Sequence, residues 1–73
     1  MATLSPAQYD ALERAIFDGT RIAVTRRGAS EVVVVPRRIR IAGGRELLDV
    51  LHPTTGDTLA LFIDELVSIE VVR

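Results

Sequence analysis

The chain has no cysteine, no lysine and no asparagine. Without cysteine there is no disulfide framework and no thiolate metal site, which fits a reducing cytoplasm. With lysine absent, the basic side chains are arginines, a bias that codon composition explains better than function. Aromatic residues make up only 4% of the chain, so there is little to stack against the bases of a single strand. No apolar run approaches the ~18 residues of a membrane span. The start of the chain lacks the basic-then-apolar pattern of a signal peptide. These absences predict a soluble, cytoplasmic protein without membrane contacts. Linkers, repeats and low-complexity tracts are also missing. The 73 residues therefore read as one domain, 1–73, able to bury roughly 60% of its unfolded surface.

Catalytic sets are missing as well. His52 is the sole histidine and abuts a turn. Metal sites and triads need several convergent groups, so His52 reads as a solvent-facing turn residue. Asp64 and Glu65 are neighbours, and neighbours on a strand point to opposite faces. Gly43-Gly44 lacks the following helix that a phosphate loop needs. Asp57 beside Gly56 is turn chemistry. The expectation is a protein that is not an enzyme and uses no metal or cofactor.

What is present is organised around Glu31–Ile41, EVVVVPRRIRI. Four valines in a row predict a strand buried on both faces. Its parity is informative. If Val32 and Val34 face the core, strict alternation sends Arg38 and Arg40 inward too. If Val33 and Val35 face the core, Ile39 and Ile41 follow, and so does Arg37. An unpaired buried guanidinium costs several kcal/mol, on the order of 3–5. A bulge or bend near Pro36 lets parity slip by one residue instead. Pro36 has no N–H and already interrupts the ladder. A long strand bent in its middle suits a small closed barrel.

Upstream, Ser5-Pro6-Ala7-Gln8 carries the signals of a helix start: a cap, a proline at the first helical position and a capping-box partner. Leu4 and Tyr9 occupy the positions of a hydrophobic staple. Tyr9, Leu12 and Ile16 form an apolar stripe with Ala15 beside it, and Gly19 supplies a left-handed stop. Residues 6–18 are predicted helical, with Tyr9 and Phe17 as packing residues. Five strands should follow within 21–72. Arg21–Arg27 alternates and leads into a Gly28-Ala29-Ser30 hairpin loop. That register sets Arg27 opposite Glu31, Thr25 opposite Val33 and Val24 opposite Val34. Gly43-Gly44 turns the long strand into Arg45–Leu51. His52–Asp57 is a polar turn, followed by Leu59–Ile63, a break at Asp64-Glu65 and Leu66–Val72. Val24, Val34, Ile39, Leu48, Leu61, Ile63 and Ile69 are the predicted core, with the helix over one open end of the barrel.

Charge is unevenly spread, although the net is −1. Residues 21–45 carry seven arginines against Glu31 alone, while both flanks are acidic. Such blocks reflect either internal pairing or a bipolar surface. Arg26, Arg37, Arg38 and Arg40 are the candidate partner-binding residues. Arginine forks suit carboxylates and phosphates alike. The scarcity of rings favours an acidic protein surface over nucleic acid.

A helix followed by five short strands, the second long and bent, resembles the Sm-like or SH3-like small barrel. The pieces Ala15-Ile16 leading to Arg21–Val24, Val34-Val35-Pro36, Gly43-Gly44-Arg45 and Leu61-Phe62-Ile63-Asp64-Glu65-Leu66 resemble the core of the WYL domain of bacterial transcription regulators. The last piece is also similar to Sm-like inhibitors of the Rho termination factor. Glu46-Leu47-Leu48 stands where the name-giving Trp-Tyr-Leu would be. Phe62 and Glu65 replace basic residues usual in the closing segment. Asp64 matches, and turn chemistry alone would have it cap backbone N–H groups. The resemblance implies a mainly β fold with one N-terminal helix, a small five-stranded SH3-like/Sm-like barrel. It also implies a regulatory binding module of the transcription apparatus. The alternative is an Sm-like assembly unit or an RNA-binding protein. Apolar residues form 48% of the chain, and strand edges template pairing, so a homodimer or larger homo-oligomer is expected.

Overall fold

A computed structural model describes residues 4–72. The ends of the expected 1–73 domain, residues 1–3 and Arg73, lie outside them. Helix α1 spans Pro6–Asp18, as its end signals predict. The Ser5 hydroxyl accepts from the Gln8 N–H at 3.1 Å, and the Gln8 Oε1 accepts from the Ser5 N–H at 3.2 Å. Pro6 fills a position whose N–H has no partner within the helix. Gly19 closes α1 at φ 71°, and its N–H donates to the Ala15 carbonyl. Among the described residues no helix is long and apolar enough to cross a membrane.

The strands are β1 (Ile22–Arg26), β2 (Val32–Ala42), β3 (Arg45–Leu51), β4 (Thr58–Phe62) and β5 (Leu66–Val71), with a single 3₁₀ turn, Ile63–Glu65, between β4 and β5. All pairings are antiparallel, in the order β4-β3-β2-β1-β5. The sheet is not closed, since β4 and β5 form its two edges. The expected barrel is therefore an open, bent sheet. The 3₁₀ turn redirects the chain so that β5 pairs with β1 rather than with β4.

Strand β2 serves both halves of the sheet. Val32–Val34 pair with β1, and Val35–Ala42 pair with β3. The register shifts between Pro36 and Arg38, leaving Arg37 as the extra residue. This is the parity slip that the arginines demand. Val34 and Pro36 are buried before it, and afterwards Arg38 and Arg40 are exposed while Ile39 is partly buried. The core joins Leu12 and Ala15 of α1 to Ile22, Val24, Val34, Leu48, Val50, Leu61, Ile63, Leu66 and Ile69. Six of the seven expected core residues lie in it; Ile39 packs against it, partly buried.

Three expectations need correction. The valine run is not buried on both faces: Val32 is 48% and Val33 39% exposed, and at this end of β2 only Val34 is fully in the core. The β1–β2 register is Ile22↔Val34, Ala23↔Val33 and Val24↔Val32, not Val24 opposite Val34. The connecting loop is longer than three residues. The Arg27 N–H donates to the Glu65 carbonyl at 3.0 Å, which draws Arg27 toward the 3₁₀ turn and away from Glu31. The offset is two residues, so every side chain keeps its face and the core prediction survives. Phe17 is not a packing residue: it is 90% exposed. Five positions beyond Leu12 at 3.6 residues per turn, it falls well off the buried stripe. Helix α1 packs against β5 and β2. Ala7 and Ala11 of α1 line one small pocket with Val71 at the end of β5.

Candidate partner-binding surface

The outer face of β2–β3–β4 follows from the bulge and the Gly43-Gly44 turn together. That turn pairs Ala42 with Arg45, and counting back from it sets Arg40 opposite Leu47 and Arg38 opposite Asp49. On the next strand Asp49 faces Ala60 and Leu47 faces Phe62. Directly opposed residues share a face. One row is therefore Arg38, Asp49, Ala60, and the adjacent row is Arg40, Leu47, Phe62.

Both arginines turn toward Asp49. Arg38 Nε donates to Asp49 Oδ2 at 2.8 Å, and Arg40 Nε donates to Oδ2 at 2.9 Å and Oδ1 at 3.1 Å. The two guanidinium groups, Arg40 first, hold the Asp49 carboxyl below its usual range. Arg38 stays 72% exposed and Arg40 41% exposed, while Asp49 is at 21%. Among the described residues, the terminal amines of both arginines donate no hydrogen bond. With Arg37, they line an open groove of about 660 Å³ whose far side is Thr58 and Ala60. Those two small side chains on β4 leave the space that the groove occupies.

The four arginines expected to act together are thus divided. Arg37, Arg38 and Arg40 share the groove. Arg26 ends β1 opposite Leu66 and is not part of the lining. Asp49 is the residue that the sequence reading passed over. The signal was available, because the Gly43-Gly44 turn fixes which residue of β3 opposes Arg38.

A second cluster lies at the Gly43-Gly44 end of β3. Arg45 stacks 3.6 Å from the Phe62 ring centroid, a cation–π contact. Its Nη2 and Nε donate to Asp64 Oδ1 and Oδ2 at 2.7 and 3.0 Å, and Glu65 Oε2 is 3.6 Å from Nη2. Asp64 is held below its usual range chiefly by the Arg45 hydrogen bond. So Asp64 forks onto Arg45 rather than capping backbone N–H groups. On the inner side, the Tyr9 hydroxyl donates to Glu46 Oε2 at 2.7 Å, tying α1 to β3. His52 is a turn residue as expected. Its Nδ1 accepts from the N–H groups of Thr54 and Thr55, both at 3.2 Å.

No family model matches the chain, and no curated protein matches it. Among solved structures it is similar to a segment of proteasome accessory factor B/C (PafBC) of Arthrobacter aurescens. The TM-score is 0.75, with 18% identity over 97% of this chain. The chain spans 12% of the length of that protein. At this identity the likeness is one of fold, and it supports the WYL-related fold that the motifs resemble.

Proposed function

We propose that the chain is a non-enzymatic regulatory binding module, working in the bacterial transcription apparatus, that contacts an acidic protein surface through its arginines. The observation that carries this reading is the groove. Arg37, Arg38 and Arg40 line it, and the terminal amines of Arg38 and Arg40 are left without partners among the described residues. Exposed guanidinium donors match carboxylate oxygens in charge and geometry. A protein partner is favoured over single-stranded nucleic acid because the groove lining contains no aromatic ring on which bases could stack. Arg26 contributes as an outlying positive charge. The regulatory setting rests on the WYL-related fold and is an argument by analogy.

The test is an Arg38→Glu, Arg40→Glu double variant, used with the unmutated chain to capture partners from cell extract with and without nuclease. The unmutated chain should retain a protein partner after nuclease, with binding that weakens as salt rises. The double variant loses both Asp49 pairs, but exposed ion pairs are worth only about 0–1 kcal/mol each, so it should keep its fold and should lose the partner. Equal capture by both would show the arginine strip to be ordinary solvated surface. Loss of all partners on nuclease treatment would favour nucleic acid.

A second reading has its own observation. Among the described residues, β4 and β5 form the two edges of the sheet and take no further strand. Such edges accept a strand from another copy, which fits an Sm-like assembly unit whose barrel is completed by association.

A further inference from the structure

Asp49 is an unusual residue to find beside a surface that is to bind acids. It removes one charge from the groove, and on net charge alone it opposes the function. Its geometry does something else. A guanidinium has five N–H donors. Both arginines give Asp49 their Nε donor, the one nearest the aliphatic stem. The terminal amines are left over, on side chains 72% and 41% exposed. Arg38 and Arg40 would repel each other without the carboxylate between them, and each has a long side chain with many rotamers. Asp49 is itself held on β3 in register with Arg38 and is the least exposed of the three.

We propose that Asp49 is a positioning residue. It orders Arg38 and Arg40 into a paired oxyanion clip whose ligand is a side-chain carboxylate of an acidic polypeptide. This rests on the reading of the groove given above and deepens it. The acidic ligand meets four terminal amines already fixed in place, and Asp49 remains bound behind them. Long side chains that are ordered before binding lose less freedom on binding.

The probe is a labelled hexaglutamate peptide, followed by fluorescence anisotropy at low salt. Three variants are compared with the unmutated chain: Asp49→Asn, Asp49→Glu, and Arg38→Gln with Arg40→Gln. Asp49→Asn makes the groove more positive, so a charge-only account has it bind more tightly. The clip has it bind roughly tenfold more weakly, the scale expected when two arginines lose their preorganisation. Asp49→Glu should recover part of the loss. Tighter or unchanged binding by Asp49→Asn overturns the role of Asp49 alone. Failure of the unmutated chain to bind better than the double glutamine variant overturns the groove reading itself. An oligothymidylate bound more tightly than hexaglutamate overturns the assignment to an acidic polypeptide. A second measurement needs no variant. In nitrogen-resolved NMR of the unmutated chain, hexaglutamate should shift the terminal-amine signals of Arg38 and Arg40 and leave their Nε–H signals in place. Nε–H signals that move with the peptide would mean Asp49 is displaced, and the clip would be wrong.

Discussion

Tyr9 donates its phenol proton to a carboxylate, and this one contact ties a helix to a strand far along the chain. The Glu46 hydrogen bond, partial burial, and the charges of Glu46 and Glu13 push its pKa up to about 12 from 10.0. In the unfolded chain the phenol reverts to the ordinary value. The folded state therefore holds the proton more tightly between those two values, and the added stability is complete below pH 10. It is lost as pH rises toward 12. The expected outcome is a Tyr9 phenolate absorbance that develops only near pH 12 in the folded protein. Tyr9→Phe should lose about 0.5–1.5 kcal/mol in urea unfolding at pH 7, the net value of one such bond, and should flatten the decline above pH 10. A phenolate signal centred at pH 10 would show that the bond does not persist in solution. For Asp49 and Asp64 the sign is opposite. Both are held below 3.8, so their contribution is present above that value and fades as pH falls through the lowered one. Phe17 shows how residue-level reading goes astray. Its aromatic character suggested packing, whereas its position on the helical wheel put it on the wet side.

In the elements, the bulge in β2 was legible because charge and parity conflict there. No straight strand can bury Val34 and Pro36 and also expose Arg38 and Arg40. Deleting Arg37 removes the extra residue and sets Arg38 directly after Pro36, so plain alternation then buries Pro36 and Ile39 and exposes Arg38 and Arg40 with no bulge. The deletion variant should fold with Pro36 and Ile39 still on the core side, losing no more than the ~0.5–3 kcal/mol of an ordinary substitution in urea denaturation. A variant that fails to fold would show that the fold needs the bend itself and not only the parity that the bulge supplies. The ends of α1 and the whole of β3 were equally readable, since capping groups and glycine turns act through local chemistry. The β1–β2 register was not. A shift by two residues leaves both faces unchanged, so side-chain pattern is blind to it. What decides it is the backbone contact from Arg27 to Glu65, between residues 38 positions apart. The groove lies between these cases. Its arginines were visible as a charge block, but their tie to Asp49 needed the turn and the bulge to be combined.

Considered whole, the molecule exposes several large apolar groups: Ile41 at 73%, Leu59 at 51% and Val32 at 48%. Leu59 lies on β4, one of the two free edges. By parity it points inward, in register with the buried Val50, yet it is half uncovered. Strand addition at that edge would bury it. Light scattering over a dilution series should therefore give a mass of at least twice 8.0 kDa at micromolar concentration. A constant 8.0 kDa would remove the assembly reading and leave the groove reading untouched. The pocket shared by Ala7, Ala11 and Val71 has a different consequence. It sets the first turns of α1 beside the end of β5. A fold with that geometry can be spliced into a host chain at a single exposed loop, because the host must span only a small gap. The β2–β3–β4 face would then travel with it as a portable cassette, its groove intact whatever protein carries it.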